Sequence, residues 1–85
     1  MRFTFEYDPE KARTNWVKHR VSFEEAASVF YDPEHSDDED RYISVGRSRH
    51  DRLLVVCYVE RGTSIRLISA RAASPNERRN YEEQA

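Results

Sequence analysis

Segment 53–59, LLVVCYV, restricts the fold of this chain more than any other feature. It is continuously apolar, which is typical of a strand that is buried on both faces. The flanking segments 41–48 (RYISVGRS) and 64–71 (SIRLISAR) alternate between apolar and polar residues, as half-buried strands do. Because the connections RHDR and ERGT are short and polar, they indicate hairpins. We therefore predict a three-stranded antiparallel meander with 53–59 at its centre.

The first thirty residues predict a strand followed by two helices. The chain opens with an alternating apolar–polar pattern, FTFEYD, which indicates a strand. Asp8 is then an N-cap and Pro9 takes the first position of a helix that runs to about His19. Ser22 caps a second helix, in which Glu25 occupies the capping-box position.

A third helix is predicted near the end of the sequence. Ser74 is its cap, Pro75 takes its first position and Glu77 completes a capping box. Tyr81 is the one large apolar side chain between residues 76 and 84. Since a short polar helix is marginal by itself, we expect this one to serve a site or a partner more than the core.

Together the elements predict an α+β fold with the order β-α-α-β-β-β-α, an antiparallel sheet with two N-terminal helices and one C-terminal helix. Eighty-five residues are enough for a single domain, which we place at 1–85. The predicted core consists of large apolar side chains from the helices and strands: Phe5, Trp16, Phe23, Phe30, Leu54, Val56, Tyr58 and Leu67.

The net charge of −2 conceals an uneven distribution. Segment 32–40, DPEHSDDED, holds six of the sixteen acidic residues and no lysine or arginine. The remainder has ten acidic residues against fourteen basic ones, a balance of +4. A basic body suits a partner that carries phosphates. We expect the acidic loop 34–40 to be mobile and dispensable for folding.

The sequence also bears on compartment and cofactors. A single cysteine, Cys57, cannot form an internal disulfide. No apolar stretch reaches membrane-spanning length and the N-terminus lacks a signal-peptide pattern, so we predict a cytoplasmic protein. Neither zinc-ligand spacing nor a glycine-rich phosphate loop is present, so no metal or other cofactor is predicted.

Four residues are candidates for catalysis. Lys18 and His19 end the first helix, where cations also interact favourably with the helix dipole, so surface charge and function are equally good interpretations. Arg71 closes an apolar strand beside a helix N-terminus, a combination suited to a phosphate. Tyr81 could anchor its helix, stack on a base or donate a proton.

These residue types suffice for RNA cleavage without a metal. Cleavage needs a base for the 2′-hydroxyl, cationic stabilisation of the phosphorane and an acid for the leaving oxygen. His19 can act as base or acid near neutral pH. Lys18 and Arg71 can hold the phosphate, the arginine through two hydrogen bonds.

Two long stretches resemble the BrnT family of toxins. FEYDPEKARTNWVKHRVSFEEAASVF is similar to the family pattern D-x-x-K-x-x-x-N-x-x-K-H-G-V-S-F-E-E-A, and RLLVVCYVERGTSIRLISARAASPNERRNYEE resembles the C-terminal half with its R-x-I-S-A-R-x-A and E-R-x-x-Y segments. The resemblance implies a RelE-like fold and a ribonuclease that inhibits translation and arrests growth. It also implies neutralisation by a BrnA-type antitoxin, in complexes that could be of higher order.

The resemblance carries over to individual residues. Those at motif positions are Lys11, Asn15, Lys18, His19, Phe23, Arg61, Arg66, Arg71, Glu77, Arg78 and Tyr81. It implies catalytic roles for Lys18, His19, Arg71 and Tyr81, and RNA-binding roles for Lys11, Arg61, Arg66 and Arg78. The sequence departs from the family pattern at two usual glycines, which are replaced by Arg20 and Asp51.

Two classes of function fit these observations. The first is a metal-independent endoribonuclease toxin. The second is a non-catalytic module of the same fold that acts through a protein partner or through passive RNA binding, and fold alone does not decide between them. Because the chain keeps both the apolar and the polar motif residues, the sequence favours the enzyme.

Overall fold

The apolar segment 53–59 lies in the middle strand of a five-stranded sheet. The computed structural model describes residues 3–33, 36–38 and 42–84. A short 3₁₀-helix, Val29–Tyr31, follows the second α-helix. The helices and strands are β1 (Thr4–Glu6), α1 (Pro9–His19), α2 (Phe23–Ser28), β2 (Ser36–Asp38), β3 (Ile43–Arg47), β4 (Leu53–Arg61), β5 (Ser64–Ala72) and α3 (Pro75–Gln84).

The α+β class and the order β-α-α-β-β-β-α are confirmed, and the structure adds one short strand to that order. The strands lie in the order β1-β5-β4-β3-β2. Neighbours from β2 to β5 are antiparallel, which confirms the predicted meander of β3, β4 and β5. β1 pairs with β5 in the parallel direction. This pairing was not predicted, because a three-residue strand gives no sequence signal for its direction.

β5 contains one residue more than β4 in the middle of their ladder. Cys57 lies opposite Ser69, whereas the next residue of β4, Tyr58, lies opposite Leu67. Ile68 therefore has no opposite residue on β4. Such an extra residue is a β-bulge, and it reverses the alternation of side chains between the two faces of the sheet.

The bulge decides which face of the sheet carries Arg71. Before the bulge Leu67 is buried in the core, and after it the buried residue is Ala70. Arg71 lies opposite Val55, on the face that turns away from this core, and its side chain is exposed. Strict alternation from Leu67 would instead have placed Arg71 on the core face.

The core lies between one face of the sheet and α2 with its 3₁₀ extension. Most of the predicted core is confirmed, and Phe5 is a half-buried residue packed against it. Val21 and Val29 were not predicted, although both are fully buried. The buried cluster consists of Val21, Phe23, Ala26, Val29, Phe30, Leu54, Val56, Tyr58, Ile65, Leu67 and Ala70.

The prediction that Trp16 belongs to the core is wrong. Its side chain is 47% exposed, and the guanidinium of Arg20 lies 5.5 Å from the centre of the indole ring. The neighbouring residue, Asn15, is buried in its place. The reason is that α1 packs against the edge of β5, where free backbone groups require hydrogen bonds more than an apolar surface.

Two non-glycine residues adopt left-handed backbone geometry where the family pattern has glycine. Arg20 ends α1 with φ 56° and ψ 36°, and its N–H donates to the Trp16 carbonyl. Asp51 has φ 61° in the β3–β4 hairpin. A side chain in this region costs about 1–2 kcal/mol, although aspartate tolerates it better than arginine.

We therefore expect Arg20→Gly to stabilise the protein by about 1 kcal/mol, because glycine adopts positive φ without strain. The melting temperature should rise by roughly 4–8 °C. Arg20→Ala is the matched control, since it removes the same side chain and its contact with Trp16 but keeps the strained backbone. Equal melting temperatures for the two variants would show that the backbone of residue 20 is not strained.

Glu25 does not complete the predicted capping box. Ser22 caps α2 as predicted, because its Oγ accepts from the Glu25 N–H at 3.0 Å. The Glu25 carboxylate turns inward, where Oε2 accepts from Ser48 Oγ at 2.6 Å and from Arg52 Nε at 2.8 Å. The hydrogen bond from Arg52 is the main reason why the pKa of Glu25 is lowered. The buried carboxylate thus joins α2 to the β3–β4 hairpin.

The acidic segment is not simply a loop. Its residues 36–38 form β2, which pairs with β3. The assignment to a loop is corrected for these three residues, while residues 34, 35, 39 and 40 lie outside the described part of the chain. Within the described ranges, no helix is long and apolar enough to cross a membrane.

Candidate functional site

A groove of about 530 Å³ runs between α1 and β5. Helical spacing explains its composition, because residues 11, 15 and 18 follow each other at intervals of four and three along one side of α1. The strand side of the groove is formed beside the bulge. Its lining residues are Asp8, Glu10, Lys11, Thr14, Asn15, Lys18, His19, Ile68 and Ser69.

The charges of the groove are not equally available. Asp8 caps α1 by accepting from the Glu10 N–H at 2.8 Å, and Glu10 is paired with Arg13. Lys11 and Lys18 are exposed and His19 is half-buried. Of the described side chains, none makes a hydrogen bond or ion pair with either lysine. The groove therefore offers cationic groups and an imidazole to a ligand that carries negative charge.

The buried amide of Asn15 fixes α1 to the edge of β5. Its Oδ1 accepts from the Ala70 N–H at 3.0 Å, and its Nδ2 donates to the carbonyls of Ala70 and Val21 at 2.9 Å each. β1 pairs with β5 at residues 64–66. The amide therefore satisfies the backbone N–H and carbonyl of Ala70, at the edge of β5 beyond the residues that pair with β1. Lys11 and Lys18 lie on either side of Asn15 along the same face of the fixed helix.

Arg71 forms a two-point ion pair with Glu77 at the start of α3. Nη1 donates to Oε1 at 2.8 Å and Nη2 donates to Oε2 at 2.9 Å. Glu77 Oε1 also accepts from the Ser74 N–H at 2.8 Å, while Ser74 Oγ accepts from the Glu77 N–H at 3.3 Å. The predicted capping box is thus confirmed, and it includes an arginine that the sequence pattern did not associate with it.

The ion pair lowers the pKa of Glu77 from 4.5 to about 2, chiefly through the hydrogen bonds from Arg71 and then through the Ser74 N–H. A carboxyl whose pKa is lower in the folded state stabilises the fold above its ordinary pKa. That stabilisation is lost as the pH falls through the folded-state pKa. We expect Glu77→Gln to lose less stability than the wild type between pH 4.5 and 2.

Thermal unfolding across this pH range measures the effect. The matched control is Glu83→Gln, which changes an exposed glutamate on the same helix and should follow the wild-type curve. If Glu77→Gln and wild type lose stability in parallel, the ion pair does not contribute to acid sensitivity.

Tyr81 is buried and holds α3 against the rest of the molecule. The residue is 7% exposed, its hydroxyl donates to Asp32 Oδ2 at 2.7 Å, and the Arg47 guanidinium lies 5.8 Å from the ring centre. Asp32 Oδ2 also accepts from the Arg47 N–H. This anchoring was one of the roles predicted for Tyr81. The alternative roles, stacking on a base or donating a proton to RNA, would require α3 to move.

The remaining predicted RNA-binding residues lie apart from the groove. Arg61 and Arg66 are near Glu6 Oε1, at 3.6 and 3.5 Å, at the end of the sheet where β1 pairs with β5. Arg78 is exposed on α3. The structure therefore gathers Lys11, Lys18 and His19 into one site but leaves these arginines outside it.

Arg71 is connected to the groove through β5. It lies two residues beyond Ser69, which lines the groove, and this spacing corresponds to about 7 Å along a strand. Sequence reasoning did not select Ser69 or Thr14, because a small hydroxyl residue gives no signal of its own. The sequence pattern indicated only a capping role for Glu77, although Arg71, six residues earlier, could have suggested an ion pair with it.

Comparisons with known proteins agree with this fold. A family model described as "Ribonuclease toxin, BrnT, of type II toxin-antitoxin system" matches residues 7–77. The chain is similar to the crystal structure of the Brucella abortus ribonuclease toxin BrnT, with a TM-score of 0.68 and 22% sequence identity. The alignment covers 86% of this chain and 99% of the Brucella chain. No curated protein matches the chain. Since the family model covers most of the sequence, the chain belongs to the BrnT family of ribonuclease toxins of type II toxin–antitoxin systems.

Proposed function

We propose that the protein is an endoribonuclease toxin whose active site is the α1–β5 groove together with Arg71. The observation that carries the proposal is the placement of Lys11, Lys18 and His19 along one groove, next to the strand that bears Arg71. This arrangement can bind a phosphodiester and also supply an imidazole to it. Membership of a family of ribonuclease toxins supports the same reaction.

The proposed reaction is transfer of the phosphoryl group within RNA. The 2′-oxygen bonds to phosphorus as its proton leaves, and the bond from phosphorus to the 5′-oxygen breaks as that oxygen gains a proton. His19 takes one of these two proton-transfer roles, since imidazole exchanges protons near neutral pH. Lys18 and Arg71 stabilise the negative charge of the phosphorane. The products are a 2′,3′-cyclic phosphate and a 5′-hydroxyl, and neither water nor a metal is consumed.

The other predicted residues have outer roles in this proposal. Lys11, Arg61, Arg66 and Arg78 attract the RNA backbone at a distance from the cleaved bond. Tyr81 takes part in catalysis only if its hydroxyl leaves Asp32, so its proposed role depends on movement of α3.

In the cell, we propose that cleavage inhibits translation and arrests growth, in the cytoplasm where the RNA is translated. Type II systems neutralise their toxin with a protein, and a BrnA-type antitoxin is the proposed partner here. We further propose that residues 1–85 form one domain. Growth arrest on expression, relieved by co-expression of the neighbouring gene, would test the biological part of the proposal.

The biochemical test uses purified protein and a single-stranded RNA oligonucleotide in the presence and absence of EDTA. We expect cyclic-phosphate products in both conditions and slower cleavage by Lys18→Ala and His19→Ala. Val17→Ala is the matched control, because Val17 is 67% exposed on α1 and does not line the groove. RNA binding without cleavage would instead support a non-catalytic binding module.

A further inference from the structure

Most of the hydrogen-bonding capacity of Arg71 is already used within the protein. A guanidinium has five N–H donors in a rigid plane. In Arg71, Nη1 donates to Glu77 and to the Ala72 carbonyl at 3.2 Å, and Nη2 donates once to Glu77. The Nε–H and the second Nη2–H remain, and no acceptor within the described ranges bonds to either of them.

These two remaining donors form a second fork. They lie on one edge of the guanidinium and point in the same direction, with the spacing that suits two oxygens of a phosphate. The other edge is occupied by Glu77, whose own position is fixed by the Ser74 N–H. Glu77 therefore determines which edge of Arg71 is available and in which direction that edge points.

We propose that Glu77 is a positioning residue, which holds Arg71 so that its Nε–Nη2 edge binds the RNA phosphate. This inference rests on the proposed function and extends it to a residue that does not touch the substrate. A cap would require one carboxylate oxygen alone, but the two oxygens of Glu77 bond to different nitrogens of the same guanidinium. Holding Arg71 in this orientation before RNA binds matters because a freely rotating arginine loses conformational entropy when it binds the phosphate, which weakens the interaction.

The roles of positioning residue and simple cap predict different kinetics. In Glu77→Ala, Arg71 keeps its charge and can still attract RNA, so we expect KM to change less than about threefold. The guanidinium is no longer held in line with the phosphorane, so kcat should fall about tenfold. Ser74→Ala is the matched control, because it weakens the cap of α3 but leaves the Arg71–Glu77 pair. It should lower the melting temperature without changing kcat.

Glu77→Gln tests rescue by a conservative change. A glutamine keeps one acceptor for Arg71, so its kcat should lie between the values of wild type and Glu77→Ala. An unchanged kcat in Glu77→Ala would overturn the proposal. An increase in RNA affinity with an unchanged or higher kcat would overturn it as well, since Glu77 would then compete with the phosphate.

Nuclear magnetic resonance separates failure of this inference from failure of the proposed reaction. The Nε–H resonance of Arg71 is followed while a 2′-O-methyl RNA oligonucleotide, which cannot be cleaved in this way, is added. We expect a shift that saturates in the wild type and is weaker in Glu77→Ala. A wild-type resonance that does not move on RNA binding would overturn the inference even if cleavage is observed. If the resonance shifts but the protein does not cleave unmodified RNA, the inference holds for RNA binding and the proposed ribonuclease activity is refuted.

Discussion

Arg71→Ala is expected to reduce RNA cleavage by about 10²–10³-fold, a loss typical of removing one group that stabilises charge in a transition state. The guanidinium lies on the sheet face away from the core, and its free edge suits a phosphate. Removing it should cost little stability, because its side chain is 45% exposed and ion pairs at such sites contribute about 0–1 kcal/mol.

The measurements are kcat/KM on an RNA oligonucleotide and the melting temperature of each variant. Arg71→Lys should remain strongly impaired, because lysine keeps the charge but loses the planar fork. Arg79→Ala removes an exposed arginine from α3 and is the matched control, with activity close to wild type. Full activity of Arg71→Ala would remove this residue from the proposed active site.

Phe30→Ala should lower the free energy of unfolding by about 3–5 kcal/mol. Phe30 is 5% exposed, and its ring centre lies 5.1 Å from that of Tyr58 in an edge-on contact. It also lies 5.6 Å from the ring of Phe5. The truncation leaves a cavity where the 3₁₀-helix meets the sheet, and the loss is a large share of the 5–15 kcal/mol that is usual for a folded domain.

Chemical denaturation monitored by circular dichroism measures this loss. Val17→Ala is the control, because Val17 is 67% exposed and its truncation should change the free energy of unfolding by less than about 0.5 kcal/mol. A Phe30→Ala variant that unfolds at nearly the wild-type denaturant concentration would show that the 3₁₀-helix after α2 is not packed against the sheet.

Features that depend on neighbouring residues could be predicted from the sequence. The start of α1 follows from Asp8 and Pro9, and both hairpins follow from their short polar connections. The central position of β4 follows from its continuous apolar run, because a strand buried on both faces has no solvent side. Lys11 and Lys18 share a helix face by spacing alone, but the groove that they line was not predicted, because its other side is formed by β5.

Features that depend on distant partners could not be predicted in this way. The pattern S-x-x-E occurs at the start of both α2 and α3, but only Glu77 completes a capping box. Glu25 binds Arg52, which is distant in sequence, so its buried carboxylate does not return to the Ser22 N–H to complete the box. In the same way, Asn15 is buried instead of Trp16 because of the open edge of β5, which exists only once the sheet has formed.

The unpaired Ile68 has a consequence for how β5 responds to changes in length and register. Deleting the codon of residue 68 would restore a regular ladder and leave Arg71 opposite Val55, on the same face of the sheet. A slip of one residue that paired Ile68 with Cys57 would instead set Arg71 opposite Leu54 and turn the arginine toward the core. Every side chain needed for the proposed chemistry would be present in both registers. Inspection of motif residues alone would therefore not distinguish the register that exposes the arginine from the one that buries it.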